Sequence, residues 1–282
     1  MDKLPRPMRS ILTRRLAQAI ALFAFIGTVQ AQAQAGNPER PPLVDQHVAG
    51  NVYALTGGGF ANISLLAGEE GTLLVDSKSA DITGQIIDIV ERLSPGPIRF
   101  LVNGHEHPDH TDGNGNFGLR GVTIIGHVGV RDVLAAGQRG GPPSPAPALP
   151  TVTFEDGGGL TLNLNGERVN VFHAPPAHSS TNSIVHYVDS NVLHLGDLYG
   201  PGRYQLIVSG TFQGFIDATD IALALADANT KIIPGVGPIV GRTELLAYRE
   251  MLVTVRDRIA ALVAEGKTLD EVKRQQPEGS EG

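Results

Sequence analysis

The feature that most restricts this chain is a six-residue run, His105-Glu106-His107-Pro108-Asp109-His110, which crowds three imidazoles and an aspartate together. Ligand-type side chains at that density are what a bound cation requires, and a polar surface loop seldom assembles them. His105 and His107 follow an apolar stretch, Ile98 to Val102, that reads as a buried strand. Two apart in extended geometry, they project to one side and can grip a single ion. Pro108 keeps His107 out of helical conformation. Asp109 and His110 are adjacent and point differently, which suits a second ion beside the first. Asp112-Gly113-Asn114-Gly115 then supplies turn residues.

A tetrahedral zinc needs a third protein ligand and an open position for water. His178, in Pro175-Pro176-Ala177-His178-Ser179-Ser180, follows a strand and sits in a loop from which a ligand can reach. Asp197, in His194-Leu195-Gly196-Asp197-Leu198, ends another strand at a glycine-flanked turn, where a carboxylate can bridge two metals. The other histidines carry less. His173 and His194 lie on strands and read as core or edge residues, His127 reads as a helix cap or else as a residue near the site, and His47 and His186 carry no signal.

These motifs, together with Pro234-Gly235, resemble the metallo-β-lactamase superfamily in order and spacing over about residues 45 to 265. The resemblance implies an α/β fold, a four-layer αβ/βα sandwich with metals between the sheet edges. It implies that His105, His107 and His178 hold a first zinc, and that Asp109, His110 and Asp197 hold a second. Asp76, in Val75-Asp76-Ser77, matches an aspartate behind the site that orients ligands. Two departures stand out. The family's last ligand is a histidine in a Pro-Gly-His-Gly loop, whereas this chain reads Pro234-Gly235-Val236-Gly237-Pro238. The usual aspartate after the third histidine is also absent, because the segment runs Ser179-Ser180-Thr181-Asn182-Ser183. One zinc is therefore expected to bind tightly and a second weakly.

The rest of the chain sets the context. Arg6, Arg9, Arg14 and Arg15 precede an apolar stretch from Leu16 to Val29, and then two overlapping A-x-A signals ending at Ala35. That order reads as a signal peptide over residues 1–35, so a periplasmic or secreted protein without stable membrane insertion is expected. Its removal takes Lys3 and four arginines but only Asp2, moving the net charge from −7 to about −11. So acidic a chain, without a basic stripe, is a poor nucleic-acid binder. The absence of cysteine excludes disulfides, Cys-ligated zinc and a cysteine nucleophile.

Residues 36–282 read as a single domain of two αβ halves, with a Gly/Pro-rich stretch at 137–150 as a mobile loop or the seam between them. Strands are expected at Val52 to Leu55, Ile63 to Ala67, Thr72 to Val75, Ile98 to Val102 and Val122 to Ile125 in the first half. Asp81 looks like the N-cap of a helix carrying Ile86, Ile87, Ile89, Val90 and Leu93. The second half continues with strands near Val152, Leu160, Arg168, Ser183, Val192 and Lys231, and a long amphipathic helix from Glu244 to Ala264.

Three functional readings follow. The first is hydrolysis of a small-molecule cyclic amide or ester, such as a β-lactam or lactone, by zinc-activated water, with Asp109 orienting or deprotonating the water. The second is a catalytically impaired, zinc-containing binding protein, favoured by Val236. The third, a diiron redox protein, is disfavoured by the lost nitrogen ligand and the lack of a flavin domain. Arg203 and Tyr204, after the Asp197 loop, read as a solvated surface pair or as a contact for a substrate carboxylate.

Overall fold

In the computed structural model, which describes residues 40–59 and 61–275, the central strands are covered on both faces, and their sequences show it. The strands Ile63–Leu66 and Thr72–Val75 are buried at every position, so they read as mainly apolar runs without alternation, their polar Ser64 and Thr72 hydrogen-bonded to Tyr187 and Ser94. They belong to a seven-stranded sheet in chain order: β1 (Val44–Ala49), β2 (Val52–Thr56), β3 (Ile63–Leu66), β4 (Thr72–Val75), β5 (Ile98–Val102), β6 (Thr123–His127) and β7 (Val152–Phe154). The first four pair antiparallel and the last four parallel. Parallel neighbours need crossovers. These are supplied by α1 (Thr83–Leu93), by the short α2 (Pro108–Thr111) and α3 (Asn114–Gly118), and by α4 (Val128–Ala136).

A five-stranded sheet follows, ordered β12 (Lys231–Pro234), β11 (Val192–Gly196), β10 (Ser183–Tyr187), β9 (Glu167–His173) and β8 (Gly159–Leu164). Only β11 and β12 are parallel, joined through α5 (Phe212–Leu225). The chain then forms α6 (Arg242–Ala264) and α7 (Leu269–Arg274).

Three apolar cores give the layer order. Val52, Val75, Val102 and Ile125 of the first sheet meet Val171, Val185, Tyr187 and Ile233 of the second. On the other face of the first sheet, Leu74, Leu101 and Ile124 pack on Ile86, Ile89 and Val90 of α1. On the other face of the second, Ile184, Leu193 and Leu195 pack on Phe215, Ala222, Leu245 and Leu252 of α5 and α6. Helix, sheet, sheet, helix is the four-layer α/β sandwich expected from the sequence. Each fully buried aliphatic side chain in these layers contributes about 1.5–3 kcal/mol relative to exposure.

Several local expectations are corrected. Asp81 does not cap α1; it lies in a 3-10 turn, Ala80–Ile82, and Ile82 occupies the N-cap with no side-chain hydrogen bond. Strand β1 escaped notice because half its positions are exposed, as an edge strand allows. Helix α7 is short, and its signal is the Thr268/Glu271 capping box. The 137–150 stretch is not the seam. It carries two 3-10 turns, Gln138–Gly140 and Ala146–Ala148, and leads into β7, still in the first sheet. It is docked through buried Ala148 and through the Pro147 carbonyl, which lies against Gly118. The leader at residues 1–35 lies outside the described residues. Among those described, no helix is long and apolar enough to cross a membrane.

Two glycines separate docking from helix propensity. A Cβ on Gly118 would stand 1.8 Å from the Pro147 carbonyl oxygen, whereas one on Gly84 in α1 meets nothing within 4 Å. Gly118→Ala is expected to cost about 1–3 kcal/mol in urea unfolding, and Gly84→Ala to add about 0.5–1 kcal/mol. Equal effects would contradict this account of the loop.

Candidate metal centre

The carboxyl ends of four strands supply the site. Asp76 follows β4, the 105–110 run follows β5, Asp197 follows β11, and the Val236 loop follows β12. His178 lies in the connection from β9 to β10. The 76–78 segment is the cradle. Asp76 and Lys78 both adopt left-handed backbone (φ 70° and 53°), a strain that persists only where the surroundings enforce it. Here they do. Gly104 N donates to Asp76 Oδ1 at 2.7 Å, Ser77 N and Oγ both donate to the His110 carbonyl, and Gly113 N donates to the Lys78 carbonyl. The histidine run is thereby bent around this turn, so His105 and His107 converge from a bend after the strand rather than from extended strand.

His107 is the N-cap residue of α2, with φ −64° and ψ 152°, and Pro108 opens the helix, as the sequence predicts. Its imidazole makes no capping bond and turns instead to the cluster. His107 Nδ1 lies 3.0 Å from His105 Nε2 and 2.9 Å from His178 Nε2. A tetrahedral zinc with bonds of about 2.0–2.1 Å separates its ligand nitrogens by about 3.3–3.4 Å. The three nitrogens thus converge nearly as such a site requires. His178 Nδ1 donates to the Leu206 carbonyl at 2.8 Å, which fixes the tautomer and leaves Nε2 as a lone pair.

A second group, His105, His110 and Asp197, adjoins the first. Asp197 Oδ2 is 3.3 Å from His178 Nε2, 3.7 Å from His110 Nε2 and 3.9 Å from His105 Nε2, the central position of a bridging carboxylate. His110 Nδ1 donates to Asp76 Oδ2 at 2.7 Å, again leaving Nε2 towards the centre. Asp109 Oδ2 lies 3.7 Å from His110 Nε2, and its side chain is 39% exposed, open to solvent beside the site. His110 Nε2 and Asp197 Oδ1 are buried without a hydrogen-bond partner. Orphaned buried polar atoms are rare in folded proteins, and these two beside the converging imidazoles fit an ion.

The electrostatics agree. Burial alone would raise the Asp197 carboxyl, but His110, His105 and His178 hold it well below the usual carboxylate range. Asp76 is likewise raised by burial and lowered further by His110 and His194. Burial lowers His105, and the charge of His110 adds to that. His110 is pulled upward by Asp76 and Asp197 against the burial that disfavours its charge. Two buried carboxylates flanking one imidazole make a well for positive charge.

Val236 is half-buried and offers no ligand atom. Its loop is nevertheless held against the centre. Asn62 N donates to the Gly235 carbonyl, and Asn62 Nδ2 donates to the carbonyls of Pro234 and Gly237. A Cβ on Gly235 would stand 1.9 Å from Asp197 Oδ1, so only glycine fits there. Sequence reading missed Asn62 and the Leu206 carbonyl. It also missed Glu106, whose carboxylate accepts from Thr181 Oγ1 at 2.6 Å and ties the His178 loop to the 105–110 run. None of these has a local sequence signal.

His127 caps α4, accepting from Gly129 N at 3.2 Å, and stacks on His173 with ring centroids 4.3 Å apart and planes 17° apart. With Asp156 these two form a third His/Asp group. Stacked rings carry parallel rather than converging lone pairs, and His127 Nδ1 is already an acceptor, so this group fits an ion poorly. His194 is core, as expected, although its Nε2 comes within 3.7 Å of Asp76 Oδ2.

A family model described as "Metallo-beta-lactamase superfamily" matches residues 56–237, more than half of the chain. The chain belongs to the metallo-beta-lactamase superfamily. Among solved members of the fold, a metallo-beta-lactamase from Pontibacter korlensis superposes with a TM-score of 0.64 at 17% identity, covering 75% of this chain and 99% of that one. The metallo-beta-lactamase FIM-1 from Pseudomonas aeruginosa, in its mono-zinc form, gives 0.63 at 19% identity, covering 76% and 96%. At such identities the likeness is one of fold. A curated relative, the 2,4-dinitroanisole O-demethylase subunit alpha of a Nocardioides species, is 22% identical over 188 residues. That match takes in 66% of this chain but only 55% of the relative, so the chain spans about half of its length.

Two tests address the supporting residues. Asp76→Asn should weaken the ion held by His110 about 10–100-fold, as loss of a ligand-orienting carboxylate does elsewhere, measured by chelator competition; unchanged affinity would remove Asp76 from the site. Lys78 donates through Nζ to the carbonyls of Gly57 and Ala61, and burial pushes its ammonium down to about 8 against the pull of Asp76 and Asp109. A lowered folded value means that the stabilisation is present above the free-lysine range and is lost as pH falls through about 8. The native protein should therefore gain stability relative to Lys78→Met between about pH 7 and about pH 10 in urea unfolding. A pH-independent difference would contradict the assignment.

Proposed function

We propose that this chain is an exported, metal-dependent hydrolase that opens a cyclic amide or ester, such as a β-lactam or lactone, with one tightly held zinc and a weakened second site. The observation that carries the reading is the convergence of His105, His107 and His178 nitrogens at 2.9–3.0 Å, beside a loop in which Val236 supplies no ligand. Zinc in such a site lowers the pKa of its bound water towards about 7 and polarises a carbonyl. His105, His107 and His178 would hold it, and His110, Asp197 and Asp109 would hold the weaker ion.

The chain's own groups supply the rest. The Leu206 carbonyl and Asp76 keep His178 and His110 in the tautomers that face the centre. Asp109, partly exposed and 3.7 Å from His110 Nε2, takes the proton of the attacking water on a carboxylate oxygen and returns it to the leaving nitrogen or oxygen. The FIM-1 structure described in a mono-zinc form is a precedent for one ion in this fold. Export rests on the order of the first 35 residues, and the acidic charge argues against nucleic acid. The rival reading, a zinc-containing binding protein, draws on Val236. The demethylase relative adds an aryl methyl ether to the substrates worth testing.

Elemental analysis of the native protein and Val236→His, paired with turnover of nitrocefin, a γ-lactone and 2,4-dinitroanisole with and without added zinc, decides among these. About one zinc per native chain is expected, with a second ion and faster turnover on restoring histidine. Two tight zincs in the native protein would overturn the weakened second site. Absence of hydrolysis at saturating metal would overturn the enzyme.

A further inference from the structure

The segment between β11 and α5 places an unusual surface beside the centre. Tyr204, Leu206, Ile207 and Val208 are 43%, 74%, 48% and 52% exposed, whereas the other exposed large apolar side chains are scattered over the described elements. A contiguous exposed apolar surface on a folded chain commonly marks a binding site. The main chain of this one is bound directly to a candidate metal ligand. His178 Nδ1 donates to the Leu206 carbonyl, and Val208 N donates to the His178 carbonyl, both at 2.8 Å. Gly210 continues the contact, with its Cβ direction running into the Ala177 backbone at 2.1–2.5 Å. The segment is thus clamped along His178 while Leu206, Ile207 and Val208 remain exposed.

Two cations of the neighbouring segments face other surroundings. Arg203 lines a cavity of about 290 Å³ with Tyr199, Glu244, Tyr248 and Met251, against α6. Lys78 Nζ is spent on the Gly57 and Ala61 carbonyls. On the opposite side of Asp197, Val236 replaces a polar ligand with an apolar side chain.

From this we infer that Leu206, Ile207 and Val208 form a specificity wall that receives an uncharged, apolar alkyl or aryl arm of the substrate next to the scissile bond. The substrate class is a neutral ester or lactone carrying such an arm, rather than a carboxylate-bearing β-lactam. The inference rests on the hydrolase reading above and narrows it.

Burying one methylene of the arm is worth about 0.8 kcal/mol, a factor of about three to four per carbon. The test uses the zinc-loaded full chain and p-nitrophenyl esters from butyrate to decanoate, with benzylpenicillin as the acid-bearing comparison. The same chain lengths are titrated calorimetrically as alkanoyl hydroxamates, which bind without being hydrolysed. In the native protein kcat/KM and affinity should both climb about threefold per methylene. In Leu206→Ser/Ile207→Ser both slopes should flatten, while in the exposed-surface control Leu269→Ser they should not. A flat native slope, slopes unchanged in the double variant, or benzylpenicillin outpacing the longer esters overturns the wall and leaves the hydrolase standing. Affinity that climbs with chain length in a protein that turns over no ester supports the wall and overturns the hydrolase instead.

Discussion

Imidazole nitrogens that converge within about 3.0 Å must share something positive between them, a ring proton or a metal ion. His105, His107 and His178 make that approach in a buried setting, where water cannot screen it. Much of the surrounding structure holds the arrangement in place. The strained 76–78 turn bends the histidine run, the Leu206 carbonyl and Asp76 set two tautomers, and the absence of a side chain at Gly235 leaves room for Asp197. Such a cluster is preorganised for a divalent ion, whose binding adds to the stability of the fold. Folding and metal binding are therefore linked in this chain.

The second cluster obeys the same physics with a different outcome. His110 sits between two buried carboxylates, Asp76 and Asp197, which attract either a proton or a metal ion. In the family pattern a histidine after Pro-Gly completes the ligands there, whereas in this chain the loop is kept and the ligand is not. Asn62 still clamps the Pro234–Gly237 backbone through two carbonyls and an amide hydrogen bond. The loop backbone is thus held beside Asp197, while its half-buried Val236 offers no ligand atom.

How much of this was legible in the sequence depends on range. The 105–110 run, His178, Asp197 and Asp76 carry local signals, in ligand spacing and in glycine-flanked strand ends; the structure brings His105, His107, His110, His178 and Asp197 together with Asp76 behind His110, and leaves Asp109 outside both groups of converging ligand atoms. Apolar runs without alternation, such as Leu73 to Val75, report burial on both faces, which is why the layered fold could be read. The residues that orient the ligands could not be. The Leu206 carbonyl acts through backbone, Glu106 reaches Thr181 across 75 positions, and Asn62 meets its loop across more than 170. Left-handed backbone is tolerated by aspartate but runs against the preference of lysine, so at Lys78 tertiary contacts dictate it. The 137–150 stretch misled for the opposite reason: its composition resembles a linker, yet it docks through a glycine 29 residues earlier, Gly118, onto Pro147.

The central claim is that three imidazoles, two through Nε2 and one through Nδ1, converge on one ion. Zinc K-edge absorption fine structure on the full chain loaded with one equivalent of zinc reads that first shell directly. The expected spectrum has three imidazole nitrogens at about 2.0–2.1 Å plus one oxygen-type scatterer, and Val236→His leaves that count unchanged at one equivalent. A shell with fewer than two imidazoles, or one dominated by carboxylate oxygen, would contradict the account.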